Sequence, residues 1–122
     1  RSRTNTPLQA LVTLNDPVYI EAAQALGRRM HTAAISAKSA TSGIGQGFRL
    51  CLSRPASESE LKRLVKLFND AHSYYKQNPA AATMMATQPI GAAPADADHA
   101  QLAALAVVGN VLLNLDEFLM KR

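Results

Sequence analysis

HAQLAALAVVGNVLLN, residues 99–114, is the stretch whose reading decides the fold. Leu102, Leu105, Ala106, Val107, Val108, Val111, Leu112 and Leu113 point in every direction around a 3.6-residue turn, so no polar face is left for water. A helix that is apolar almost all round has to be enclosed by others. The spacing therefore predicts a central, buried last helix over residues 99–114, with the remainder of the chain packed around it. Gly109 would allow a neighbouring helix to come close, and Asn110, if inside, would need a hydrogen-bond partner.

The enclosing helices can be read from their starts. Thr6 can cap a first helix over residues 7–14, with Pro7 at its first position and Gln9 reaching back. Asn15, Asp16 and Pro17 restart the chain, Asp16 as an N-cap acceptor and Pro17 with its preset φ. In the second helix, expected to end near Ala34, Tyr19, Ala22, Ala23, Leu26 and Met30 recur at helical spacing, while Glu21, Gln24 and Arg28 take the other face. Residues 36–43 are small, polar and without periodicity, which reads as a loop before a third helix over 44–53 that Pro55 stops.

Ser57-Glu58-Ser59-Glu60 is a capping box with acidic residues in the first turn, where the helix dipole favours them. Behind it Leu61, Leu64, Val65, Phe68, Ala71 and Tyr75 form one apolar stripe opposed by Lys62, Arg63, Lys66, Asn69 and Asp70, a fourth helix ending near Asn78-Pro79. From residue 79 to 97 the sequence is Ala-rich and broken by proline. It is compatible with a helical turn over 80–87 and otherwise reads as a mobile surface loop.

The whole is an all-α, single compact domain over residues 1–122, with about five helices in an orthogonal or bundle-like array and Leu11, Leu26, Leu61, Leu64, Phe68 and Leu112 in its core. A chain of this length buries roughly two-thirds of its unfolded surface, enough for one core. Only six aromatic residues and no Trp accompany the Ala and Leu, which favours close-packed helices.

Charge and cysteine content narrow the function. The formal net charge is +4, but without Arg1, Arg3, Lys121 and Arg122 the nine remaining basic residues equal the nine acidic ones. A long basic groove for nucleic acid is not expected, and Lys62, Arg63 and Lys66 lack the interleaved aromatics that would stack on bases. Cys51 is the only cysteine, so the chain has no internal disulfide and no Cys-based metal cluster. The chain opens on RSRTNTPLQ rather than on an apolar signal region, and no apolar run is long enough to cross a bilayer, so membrane insertion is not expected.

No constellation for catalysis, metal or cofactor stands out. His31, His72 and His99 lie in separate segments and read as solvent-facing or incidental. Gly43, Gly45 and Gly47 lack the strand and spacing of a dinucleotide loop and read as a flexible lead into a helix. Cys51 lies among Phe48, Leu50 and Leu52, where a thiol behaves as a small buried hydrophobe. Two polar clusters interrupt apolar segments: Asn15 with Asp16, and Asn114 with Asp116 and Glu117. Arg49 and Arg54 could answer these carboxylates. The set reads as helix caps and structural ion pairs, or, more sharply, as an interdomain or ligand-binding edge.

Three blocks carry a family resemblance: RTNTPLQALVTLNDPVYIEAA over residues 3–23, FRLCLSRPASESEL over 48–61 and VLLNLDEFL over 111–119. In this order they resemble the C-terminal planctomycete-specific domain of unknown function of large bacterial proteins that often begin with a cytochrome-c-like domain. The resemblance spans nearly the whole chain and is weakest over residues 38–43 and 79–99. It implies a helical terminal module of a longer, exported protein, hence an extracytoplasmic setting, and it supplies no catalytic residues. Leu105 stands where many members of that family are expected to carry a Trp. The leading functional reading is a non-catalytic interaction or scaffolding module that packs against other domains of its parent. The alternative is part of an enzyme, polysaccharide-related or redox, whose site upstream domains complete.

Overall fold

Residues 102–110 are buried one after another without a break. In the computed structural model, which describes residues 17–95 and 97–120 and the side chains of residues 20–95 and 97–114, that run belongs to the last of five helices. They are α1 (Pro17–Ala37), α2 (Ala40–Leu52), α3 (Glu58–Gln77), α4 (Pro79–Thr87) and α5 (His99–Met120). No strand occurs among the described residues. Each of α1 to α4 packs on α5 and on its neighbour in the chain, so the four surround the central helix in chain order. The all-α fold with a buried C-terminal helix is as the sequence reading has it. A first helix over 7–14, with its Thr6 cap and Leu11, lies outside the described residues.

Burial of α5 explains the rest. Leu105, Val107, Val108 and Leu112 are fully enclosed, each such side chain worth about 1.5–3 kcal/mol over exposure. Leu26 and Met30 of α1, Ile44 and Phe48 of α2, Leu64, Phe68 and Tyr75 of α3, and Ala82 of α4 complete one core. Leu61, expected inside, is only half-buried at its margin. Burial pushes the Tyr75 hydroxyl up to about 12, with the neighbouring Tyr74 adding to the shift.

The closest approach is made by glycines. A methyl on Gly27 would stand 2.9 Å from the Ala106 nitrogen, and one on Gly109 would stand 2.6 Å from the Ala23 carbonyl oxygen. The two contacts show α1 and α5 antiparallel and in backbone contact. On α2, a methyl on Gly43 would collide with the Met30 carbonyl oxygen and one on Gly47 with the Met30 side chain. Those two are therefore not a flexible lead into a helix. They lie inside α2 on the face that meets α1.

The expected loop over 36–43 is helical at both ends and shrinks to Lys38 and Ser39. Ser39 N–H donates to the Ala34 carbonyl at 2.9 Å and Lys38 N–H to that of Ile35 at 3.2 Å, a Schellman pair around Lys38 at φ 58°. Ser39 then caps α2 through its hydroxyl, which accepts from Ser42 N–H at 3.2 Å. A left-handed lysine carries no sequence signal of the kind glycine gives, so α1 runs three residues beyond the expected end at Ala34, to Ala37.

The capping box of α3 forms as expected, Ser57 Oγ accepting from Glu60 N–H at 3.2 Å and Glu60 Oε1 from Ser57 N–H at 2.9 Å. The segment after Asn78 opens as α4, with Pro79 at its first turn, so irregular backbone is confined to the stretch after Thr87. The Gln88-Pro89 peptide in it is cis.

Two glycines of one helix should respond in opposite senses to alanine. Gly45 faces open space, with Leu61 Cδ1 4.0 Å from an added methyl, and Gly45→Ala is expected to stabilise by about 0.5–1 kcal/mol through helix propensity. Gly43→Ala has no room and is expected to destabilise by about 1–3 kcal/mol. Urea unfolding of both variants checks the pair.

Candidate functional site

Polar side chains that work between helices gather in two places. On α1, Gln24 and Arg28 stand one turn apart, facing the end of α4 and the segment behind it. Gln24, 2% exposed, donates from Nε2 to the carbonyls of Met85 at 2.6 Å and Gln88 at 2.7 Å. Its Oε1 accepts from Ile90 N–H at 3.3 Å, which uses the amide in both senses. Arg28 Nη2 donates to the carbonyls of Ala86 at 3.0 Å and Gly91 at 2.5 Å. Five backbone groups that the end of α4 and the following turn leave without helical partners are thus answered by two side chains. The clamp also joins the last of the four outer helices to the first.

The second place is the head of α5. Asp98 precedes the helix, and its Oδ1 accepts from Ala100 N–H at 3.1 Å. Its Oδ2 lies 3.5 Å from His72 Nε2 on α3. The His72 ring stacks on Phe68 with centroids 5.4 Å apart. His99, the next residue, shares a hydrogen bond between Nδ1 and the Thr83 hydroxyl of α4 at 3.0 Å. His31 of α1 is 6% exposed. Burial lowers its pKa below 6.5, with the Asp98 carboxylate opposing the shift. The three histidines are thus neither incidental nor simply solvent-facing.

Of the residues singled out in the sequence as a possible edge, the structure describes the side chains of Arg49, Arg54 and Asn114. Arg54 pairs with Glu60 through two contacts, 3.0 and 2.9 Å, and lies 5.0 Å above the Phe48 ring. The Glu60 carboxylate is held at about 2 by that guanidinium first and by the Ser57 backbone second, while the Arg54 pKa is raised by the same bond. Arg49 is exposed, and its backbone carbonyl accepts from Ser53 N–H at 2.9 Å. Asn114 is exposed and donates from Nδ2 to the Asn110 carbonyl at 3.0 Å. The helix does not stop at Asn114 but continues to Met120, so Asn114, Asp116 and Glu117 occupy its interior rather than a capping boundary. The side chains of Asp116 and Glu117, and both Asn15 and Asp16, lie outside what the structure describes.

Asn110 is buried at 2% exposure and its Oδ1 has no hydrogen-bond partner, so the partner that its burial called for is not supplied. Cys51, expected buried, is half-buried against the core. Among the described residues no three His, Cys, Asp or Glu side chains are placed to hold a metal ion. No helix among them is long and apolar enough to cross a membrane. Sequence reading missed Gln24 and Arg28 as ties because a polar pair at i and i+4 on an amphipathic helix ordinarily faces water.

Truncating the clamp should loosen α4 more than it loosens the core. Gln24→Ala leaves the Met85 and Gln88 carbonyls and the Ile90 N–H without this partner, for an expected loss of about 1–3 kcal/mol. Denaturant unfolding gives the loss, and proteolysis after residue 85 should speed up in the variant.

Comparison with known proteins places the chain in a family. The model of a family described as protein of unknown function (PSD1, DUF1553) matches residues 1–68, through α1 and α2 and into α3 as far as Phe68. No curated protein and no solved structure matches the chain. With more than half of its length matched, the chain belongs to the PSD1 family of proteins of unknown function.

Proposed function

We propose that this domain is a non-catalytic interaction module that packs against other domains of a larger, exported protein. The observation that carries the proposal is the use made of its reactive side chains. Gln24, Arg28 and His99 each hydrogen-bond another segment of the same chain, and Asp98 lies 3.5 Å from His72 of α3. Groups tied in this way hold helices together and are poorly placed to meet a substrate. Membership of a family of unknown function agrees with this reading at its coarser level. The finer elements, a terminal position in a parent from planctomycetes, an extracytoplasmic setting and a cytochrome-c-like domain elsewhere in that parent, rest on the resemblance of the three sequence blocks.

Association with the rest of the parent is the test. The purified domain is titrated into the separately expressed remainder by calorimetry, with light scattering to give the stoichiometry. A 1:1 complex is expected. No association with a folded remainder would remove the proposal. Asp116→Ala with Glu117→Ala in the full-length parent adds a second readout: loss of an activity at unchanged stability would favour a role as part of an enzyme.

A further inference from the structure

Helix α4 shows water a face of a different kind from the other outer helices. Arg29 on α1, Arg49 on α2 and Lys62 on α3 are exposed charges, whereas the chain carries no charged side chain between Lys76 and Asp96. Ala82 and Ala86 are the residues that α4 turns inward. Ala80, Thr83, Met84 and Thr87, at i, i+3, i+4 and i+7, share the opposite side. Met84 is 59% exposed on it. Ile35 of α1 is as exposed, at 63%, but the charge of Lys38 follows three residues on.

The polar atoms on this side of α4 are already used within the chain. The Thr83 hydroxyl shares a hydrogen bond with His99 Nδ1 at 3.0 Å, and the Thr87 hydroxyl donates to the Thr83 carbonyl at 2.6 Å. At the end of the helix the Met84 and Thr87 carbonyls accept from Gln88 and Gly91 N–H, and those of Met85 and Ala86 from the Gln24 and Arg28 side chains. Covering the face would strand none of these groups, which removes the main cost of burying it. What leaves the water is a thioether and methyl groups, and methionine adapts its shape to what it meets.

We propose that the outer face of α4 is the docking surface of the domain, and that its occupant is an uncharged, apolar face of another domain of the same larger protein. The inference rests on the reading of the domain as a module that packs within its parent. Charge sets the chemistry of the occupant: a Lys or Glu laid on α4 would lose its water and meet no opposite charge there. Area sets its connection. A nine-residue helix is about 13 Å long and about 10 Å across, so one side of it covers on the order of 300 Å². Separate proteins that associate stably bury about 800 Å² each. A second copy meeting α4 alone falls short of that, whereas a domain on the same chain is held at about millimolar effective concentration and needs less.

Hydroxyl-radical footprinting read by mass spectrometry tests the surface, because it reports on Ile35, Leu50, Tyr74 and Met84 together. Met84 oxidation should be about tenfold or more slower in the full-length parent than in the 122-residue chain alone. In the parent carrying Met84→Glu, amide exchange of residues 80–87 should return to the rate of the chain alone, and Met84→Leu should keep the slower rate. Protection of Ile35, Leu50 or Tyr74 with Met84 left reactive would overturn this surface while the module reading stands. Protection of none of the four would remove both. Protection of Met84 in the chain alone that grows with protein concentration would make the occupant a second copy and overturn the proposal. So would unchanged α4 exchange in the Met84→Glu parent.

Discussion

A helix with no polar face cannot exist on a surface, and that constraint shapes everything around α5. From Leu102 to Asn110 nine successive residues are buried, so four helices are needed to shield them from water. Helix α1 gets closest because Gly27 and Gly109 remove the side chains that would hold the backbones apart. Helix α2 is fitted against α1 through Gly43 at the Met30 carbonyl oxygen and Gly47 at the Met30 side chain. The large side chains Phe48, Leu64, Phe68 and Tyr75 belong to the same core.

A core of this kind gives stability without direction, and the polar contacts supply the direction. The short α4 contributes little apolar surface. Its placement depends on Gln24 and Arg28, which answer five backbone groups from one face of α1, and on His99, which meets Thr83 at its middle. The weakly packed part of the molecule is thus fastened by hydrogen bonds that are part-buried at Gln24 and Arg28 and exposed at His99. Asn110 stands apart: its Oδ1 is enclosed in the central helix without a partner.

Features that depend on local chemistry were legible in the sequence. The Ser57–Glu60 box and the stripe behind it fix α3 because both reside within a few turns of one helix. The character of α5 was legible for the same reason, although its length was not: Asn114 to Glu117 looks like an ending yet helical backbone runs through it to Met120. What could not be read depends on distant segments. Lys38 takes a left-handed turn because α1 and α2 pack, not because lysine favours it. His72 and Asp98, and His99 and Thr83, are separated along the chain and meet only because α3, α4 and the head of α5 do. Gln24 and Arg28 look like a wet face until α4 and the turn behind it lie across them.

The dependence of the fold on its central helix is measured most directly by native-state amide hydrogen exchange at neutral pH across the whole chain. The slowest amides should lie between Leu102 and Leu112 and exchange only through global unfolding. Faster exchange there than in the α1–α2 hairpin would mean that the outer helices hold together without α5, and would contradict its role as the constraint on the fold.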